Sequence, residues 1–169
     1  MRSELLFRGR AFAIRRDTLL TPDGRETRFD IVEHHGSVVL IPLDEEGNIL
    51  FVRQYRHAAG CELLELPAGS LDEGETPEEC AERELREETG YAAKSFEKVG
   101  EFYLAPGYST EKMSVFIARQ LFSAPLVADD DEFLDLVRIP LEQALRAAQD
   151  GHIPDAKSLA ALYLARNQL

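Results

Sequence analysis

Three glutamates near the middle of the chain have the spacing of one helical face. Glu84, Glu87 and Glu88 stand at positions i, i+3 and i+4, so in a helix they share an arc of about 100°. Oxygen ligands of this kind suit a hard divalent cation, which can neutralise phosphate. The same spacing also occurs on solvated helix faces, where each like-charged pair costs only about 0.2 to 0.5 kcal/mol. The spacing by itself leaves both interpretations open.

The segment that carries these glutamates has the end signals of a helix. Thr76 is suited to the N-cap, Pro77 to the first helical position, and Glu79 to the third position of a capping box. Gly90 is suited to the left-handed residue that ends a helix. We therefore predict a helix over residues 77–89.

The other elements follow from hydrophobic periodicity and turn residues. Alternation in LFRGRAFAIRR and ETRFDIVEHH, separated by TPDG, predicts an antiparallel hairpin near the N-terminus. The runs SVVLIPL and ILFVRQY, joined by DEEGN, predict a second hairpin, and a further strand in ELLELPAG must end at Pro67. Three more strands are predicted in KSFEKVGEFYLA, EKMSVFIARQL and FLDLVRI, and two helices in LEQALRAAQDG and DAKSLAALYLARN. Without strict βαβ alternation, this mixture favours an α+β sandwich.

Length and charge limit the possible classes of protein. The chain has 169 residues, 44% of them hydrophobic, which fits one globular domain without an apolar run long enough to span a membrane. No signal peptide is visible, and Cys61 and Cys80 stand alone, so we expect a cytoplasmic protein with reduced thiols. The net charge is -12, and residues 62–90 hold eleven acids against two bases, a local -9. This charge argues against a nucleic-acid binder.

A longer pattern surrounds the three glutamates. It runs Gly69, five residues, Glu75, seven residues, and then RELREETGY. The pattern resembles the Nudix box, and a chance match to its seven fixed residue types would arise about once in 10 million positions. Tyr91 departs from the box, which has an aliphatic residue at that place. The resemblance implies an α/β/α sandwich with a mixed sheet over residues 36–169, preceded by an antiparallel β appendage over residues 1–35.

The Nudix resemblance also implies a chemistry. Nudix proteins hydrolyse a nucleoside diphosphate linked to another group, with Mg²⁺ or Mn²⁺, and two or more ions are expected here. The residues implied as metal ligands are the carbonyl of Ala68 and the carboxylates of Glu84, Glu87 and Glu88. Arg83 either contacts phosphate or holds Glu75 in a salt bridge, and the resemblance favours the salt bridge. Gly69 and Gly90 have backbone roles.

Three further stretches resemble ADP-ribose pyrophosphatases within this family. They are FVRQYRHAAGCELLELPAGSLDEGE, the loop APGYSTE and the C-terminal IPDAKSLAALYLA. This resemblance implies hydrolysis of ADP-ribose to AMP and ribose 5-phosphate, and a homodimer that exchanges the N-terminal strands. Hydrolysis of another nucleotide sugar, such as GDP-mannose, is the alternative, and a nucleotide sensor without catalysis is a second one.

Candidate substrate contacts lie outside the box. Arg53 and Arg56 carry planar guanidinium groups that fit phosphate oxygens, although alternation along a strand turns one of them away from the other. By resemblance, Glu111 accepts a hydrogen bond from the terminal ribose. Each of the three also fits an ordinary solvated sheet edge. The four histidines show no ligand spacing and are assigned no chemistry (His34, His35, His57 and His152).

The general base is expected in an acidic loop before the last strand, ADDDE. By resemblance, this loop closes over the substrate, with Glu132 as a metal ligand and Asp130 as the base that activates water. A run of adjacent acids is more commonly a solvated surface segment. If the loop does not supply the base, Glu87 in the box is the first candidate.

Overall fold

The computed structural model describes residues 2–127 and 133–169. Ten strands and three helices follow one another along this part of the chain. The strands are β1 (Arg2–Arg8), β2 (Ala13–Leu20), β3 (Glu26–Glu33), β4 (Ser37–Pro42), β5 (Asn48–Arg56), β6 (Cys61–Glu65), β7 (Ala68–Ser70), β8 (Tyr91–Tyr103), β9 (Lys112–Ser123) and β10 (Leu134–Pro140). The helices are α1 (Pro77–Thr89), α2 (Leu141–Gln149) and α3 (Ala156–Ala165).

The N-terminal region forms its own antiparallel sheet in the order β1-β2-β3. The predicted hairpin around TPDG is present between β2 and β3, but the predicted first strand is divided into two. A turn closed by the hydrogen bond from Gly9 N to Phe12 O reverses the chain there. A Cβ at Gly9 would lie 3.3 Å from that same oxygen, so the tight turn favours glycine.

The rest of the chain builds two sheets. One has four strands in the order β7-β4-β9-β8, with β4 and β9 parallel, and the other has three antiparallel strands in the order β10-β5-β6. The predicted hairpin of β4 and β5 is wrong, because these strands belong to different sheets; Leu43, which follows β4, forms an isolated bridge with Ile49. The reason is that both edges of β4 are already paired, with β7 and β9.

Alternate residues of β4 pack into two different apolar clusters, one on each face of its sheet. Val38 and Leu40 face α1 and pack in one apolar cluster with Leu85. Val39 and Ile41 face the opposite way, into a larger cluster that includes residues of the three-stranded sheet, α2 and α3. A strand with two buried faces reads as a continuous apolar run, as SVVLIP does. This layered α+β architecture confirms the predicted fold class.

Helix α1 begins and ends where the sequence predicts. The Thr76 side chain accepts a hydrogen bond from the backbone of Glu79, whose carboxylate in turn accepts one from the backbone of Thr76. Gly90 ends the helix in the left-handed region with φ 76°, and its N–H donates to Arg86 O. These caps fix which residues of α1 face the sheet.

None of the helices in residues 2–127 and 133–169 combines the length and apolar character needed to cross a membrane.

Candidate active site

The carboxylates of α1 lie against the backbone of β7. Glu84 and Glu88 are buried, at 7% and 9% exposure, and Glu87 is half-buried. Glu88 Oε2 accepts a hydrogen bond of 3.0 Å from the N–H of Ala68. A Cβ at Gly69 would lie 1.8 Å from Glu84 Oε1, so only glycine lets this carboxylate approach the strand so closely. The box glycine and the box glutamates therefore form one contiguous surface.

Arg83 binds the loop glutamate and the helix glutamates together. Its Nε and Nη2 donate to the Glu75 carboxylate at 2.9 and 2.8 Å. Its Nη1 donates to Glu84 at 2.7 Å and to Glu87 at 3.0 Å. The hydrogen bonds from Arg83 hold the pKa of Glu75 below its ordinary value, and the bond to Glu75 raises the pKa of Arg83. Between the two roles considered for Arg83, these contacts favour the salt bridge.

The donor set on α1 fits a hard divalent cation. Within residues 2–127 and 133–169, no three His, Cys, Asp or Glu side chains are already arranged around a common metal position. Two of the α1 carboxylates, Glu84 and Glu87, nevertheless share the guanidinium of Arg83, which also binds Glu75. Their ligand atoms are all oxygen, as Mg²⁺ and Mn²⁺ prefer, and the missing Cβ of Gly69 leaves room beside Glu84.

A cleft of about 970 Å³ opens beside Glu84. It lies where the N-terminal sheet, β6, β7 and the start of α3 meet. Its lining includes box residues, N-terminal residues and residues of the strands and α3 (Ala68, Gly69, Arg83, Glu84, Arg10, His34, His35, Ser37, Arg56, Glu65, Glu111, Asp155 and Lys157). A cavity of this size accommodates a nucleotide-sized ligand.

The two candidate phosphate-binding arginines lie on opposite faces of β5. Arg56 lines the cleft and forms a two-point ion pair with Glu65, with both hydrogen bonds 2.8 Å long. Arg53 is three residues away, an odd spacing that turns an exposed side chain to the other face. Arg53 is not among the residues that line this cleft.

Glu111 lies at another edge of the same cleft. Its Oε1 accepts a hydrogen bond of 2.8 Å from Ser37 Oγ, on the first residue of β4. The carboxylate therefore faces the cleft, 27 residues along the chain from Glu84. The assigned hydrogen bond to ribose stays a prediction. Asp130 and Glu132 lie outside the described residues, so their assigned roles as general base and metal ligand stay predictions.

Two features of the cleft have no counterpart in the sequence prediction. His34 accepts a hydrogen bond at Nδ1 from Gly36 N–H, and its Nε2 lies 3.3 Å from Ser70 Oγ. Glu65 and Lys157 form a buried ion pair in the cleft wall. No spacing in the sequence singles out His34. The buried pair did have a signal, because the apolar helix AKSLAALYLA holds a lone lysine and the strand CELLE ends in a glutamate.

Relatives of this chain bear several functional names. The ADP-ribose pyrophosphatase of Bacillus subtilis (strain 168) is 36% identical over 161 residues, which cover 94% of this chain and 87% of the relative. The methanol dehydrogenase activator of Bacillus methanolicus is 35% identical, with 96% and 89% covered. Other relatives are named GDP-mannose pyrophosphatase and are 33–35% identical over 76–78% of this chain.

A solved structure and a domain model identify the family. The crystal structure of an ADP compounds hydrolase superposes with a TM-score of 0.87 at 27% identity, covering 100% of this chain and 92% of the other. The sequence model of the NUDIX domain matches residues 33–162, which include the box, the cleft arginine Arg56 and Glu111. The chain belongs to the Nudix family.

Proposed function

We propose that this protein hydrolyses the diphosphate of ADP-ribose to AMP and ribose 5-phosphate. The observation that carries the proposal is the juxtaposition of Glu84 with Arg56 and Glu111 around one cleft. A carboxylate face for cations and a guanidinium for phosphate are the groups that a diphosphate requires. The names of the Bacillus subtilis relative and of the superposed structure support ADP-ribose within this substrate class.

Divalent metal dependence is general among Nudix ADP-ribose pyrophosphatases, and Mg²⁺ or Mn²⁺ is proposed here, with two or more ions per site. The residues proposed to hold the ions are the carbonyl of Ala68, the carboxylates of Glu84, Glu87 and Glu88, and Glu132. When bound, the ions supply positive charge for the diphosphate and lower the pKa of water that attacks phosphorus.

The chain's own groups are assigned to binding, orientation and proton transfer. Arg56 binds diphosphate oxygens, and Glu111 accepts a hydrogen bond from the terminal ribose. Arg83 orients the box by holding Glu75 and the helix glutamates together. Asp130 is proposed to take the proton of the attacking water, with Glu87 as the next candidate.

A panel of nucleoside diphosphate sugars separates the candidate substrates. Wild-type protein with Mg²⁺ is incubated with ADP-ribose, GDP-mannose and other nucleotide sugars, and the products are separated by chromatography. We expect AMP and ribose 5-phosphate, with kcat/KM for ADP-ribose at least tenfold above that for GDP-mannose. A preference for GDP-mannose would establish the alternative, which the relatives named GDP-mannose pyrophosphatase favour.

The same panel tests catalysis against simple binding. Protein incubated with EDTA serves as the metal-free control and is expected to form no product, because the diphosphate loses its neutralising charge. A protein that binds ADP-ribose in the presence of Mg²⁺ but never cleaves any member of the panel would be a sensor, and the proposed function would be wrong.

A further inference from the structure

A buried carboxylate in the cleft wall is bound by two cations. Glu65 is the last residue of β6 and is 1% exposed. Its Oε1 accepts from Arg56 Nε and its Oε2 from Arg56 Nη2, both at 2.8 Å. Lys157 Nζ also donates to Glu65 Oε2. The Glu65 carboxylate therefore accepts hydrogen bonds from an arginine and a lysine at the same time.

The pairing of β5 and β6 places Arg56 and Glu65 on one face. Glu65 is the register partner of Val52, so the two side chains project from the same side of the sheet. Arg56 is four residues after Val52 along β5, an even spacing that returns to that side. The strand register therefore places both side chains on one face, and the long Arg56 side chain reaches the carboxylate of Glu65.

The first turn of α3 fixes the lysine. Asp155, the N-cap, accepts from Ser158 N at 3.0 Å and from Lys157 Nζ at 2.9 Å. Ser158 Oγ accepts a hydrogen bond of 2.7 Å from Leu66 N, the residue that follows Glu65. This bond joins the start of α3 to the residue after β6, and Lys157 reaches Glu65 from that same turn.

The neighbouring cations keep the Glu65 carboxylate ionised. Burial disfavours the charged form of Glu65, but the hydrogen bonds from Arg56 and the charge of Lys157 outweigh it and hold the pKa of Glu65 below its ordinary value. The bond to Glu65 raises the pKa of Arg56. A carboxylate that stays ionised is a permanent anchor for both cations.

The geometry of this anchor limits how Arg56 can bind a ligand. Glu65 occupies the edge of the guanidinium formed by Nε and Nη2, which leaves the Nη1 amino group outside the pair. The Arg56 side chain is 42% exposed and lines the cleft beside Ala68 and Glu84. Without Glu65, the guanidinium would lose both hydrogen bonds that hold its Nε and Nη2.

We propose that Glu65, itself held by Lys157, is a positioning residue that fixes Arg56 with its Nη1 amino group toward the diphosphate of a bound nucleotide. Lys157 keeps the anchor in place from the side of α3. This role belongs to the proposed function. It rests on one part of that function, the binding of a nucleoside diphosphate in this cleft.

The test measures binding, so that it does not depend on hydrolysis. Affinities of full-length protein for ADP and for adenosine are measured by ligand-observed NMR titration in Mg²⁺. The variants are Glu65→Gln, Arg56→Ala and the double variant. We expect Glu65→Gln to weaken ADP binding about tenfold, the size of one good charge-assisted hydrogen bond, and to leave adenosine binding unchanged.

The double variant distinguishes positioning from general support of the fold. If Glu65 acts through Arg56, the double variant binds ADP no more weakly than Arg56→Ala does. Additive losses, equal losses for ADP and adenosine, or unchanged ADP affinity in Glu65→Gln would each overturn the proposal. Glu65→Asp keeps the charge but withdraws the carboxylate by one methylene. It is expected to show the same selective loss to a smaller extent, and it decides the question if Glu65→Gln does not fold.

Failure of the proposed function gives a different result. If wild-type protein binds ADP but does not hydrolyse ADP-ribose, the proposed function is wrong while the binding test of Glu65 still stands. If hydrolysis of ADP-ribose is confirmed and Glu65→Gln binds ADP like wild type, only the positioning role is wrong.

Discussion

At the scale of single residues, burial distinguishes glutamates that the sequence makes equivalent. Glu82 and Glu88 lie in the same helix, yet Glu82 is exposed while Glu88 is 9% exposed and bonded to the backbone of β7. The acidic composition of the segment cannot make this distinction. Buried carboxylates such as Glu88, and Glu84 in the cleft lining, are the kind of group that metal chemistry uses.

We expect Glu88→Gln to lower turnover by orders of magnitude, with the thermal midpoint nearly unchanged. The substitution keeps shape and helix propensity but removes a charge beside the metal. Steady-state kinetics and thermal unfolding are compared with Glu82→Gln, the same change on the exposed face of α1. Glu88→Gln with more than about a tenth of wild-type turnover would contradict the metal site.

Residues 129–132 lie outside the described residues, and their roles stay predictions. We expect Asp130→Asn to lower turnover about 100-fold to 10,000-fold with little change in KM, as loss of a general base does. Glu132→Gln should also raise the Mg²⁺ concentration needed for half-maximal rate. Asp129→Asn and Asp131→Asn serve as controls. Near-normal turnover in all four variants would move the base to the box, with Glu87 tested next.

At the scale of elements, the site depends on how closely α1 approaches β7. The helix packs through Ala81 and Leu85, both fully buried, against the face of β4 that carries Val38 and Leu40. This packing pushes Glu84 to within contact distance of the backbone at Gly69. A small change in either element is therefore transmitted directly to the carboxylates.

Gly69→Ala tests this close approach. The added Cβ would lie 1.8 Å from Glu84 Oε1, so the carboxylate must move. We expect weaker metal binding, measured as a higher Mg²⁺ concentration for half-maximal rate, and lower turnover. Gly100→Ala is the control, since its Cβ meets only Leu164 Cδ1 at an ordinary 3.5 Å. If Gly69→Ala matched Gly100→Ala in both measurements, the approach of Glu84 to β7 would not matter for the site.

At the scale of the whole molecule, the N-terminal sheet leaves apolar side chains uncovered. Leu5, Leu6 and Phe7 on β1 are 42–54% exposed, and all seven residues of the strand are exposed. Both faces of this strand are therefore open. Arg10, His34 and His35 from the same region line the cleft. The exchange of residues 1–35 in a homodimer, which would cover this sheet, stays a prediction.

We expect the full chain to be a dimer at micromolar concentration, twice the 19.0 kDa of one chain by light scattering. Phe7→Asp should shift it toward monomer, since a charge in a buried interface goes unpaired. Tyr163→Asp, at an exposed aromatic on α3, is the control and should leave the dimer intact. A wild-type mass of one chain would refute the exchange.

Periodicity, turn residues and caps in the sequence determined the local structure. The bounds of α1 follow from Thr76, Pro77 and Gly90, because capping is settled within a few residues. The box showed which glutamates share a face, since that depends only on helical geometry. Pro67 ended a strand as predicted, because proline cannot donate to a ladder.

Only the tertiary structure decided the pairing of distant segments. The sequence could not tell that β4 is flanked by β7 and β9, so the predicted hairpin with β5 was wrong. The sequence also did not show that Arg56 faces the cleft and Arg53 does not. Nor did it show that Lys157 pairs with Glu65, 92 residues earlier. These outcomes depend on strand register and on packing between layers. Register and packing depend on contacts throughout the core, which a local sequence pattern does not specify.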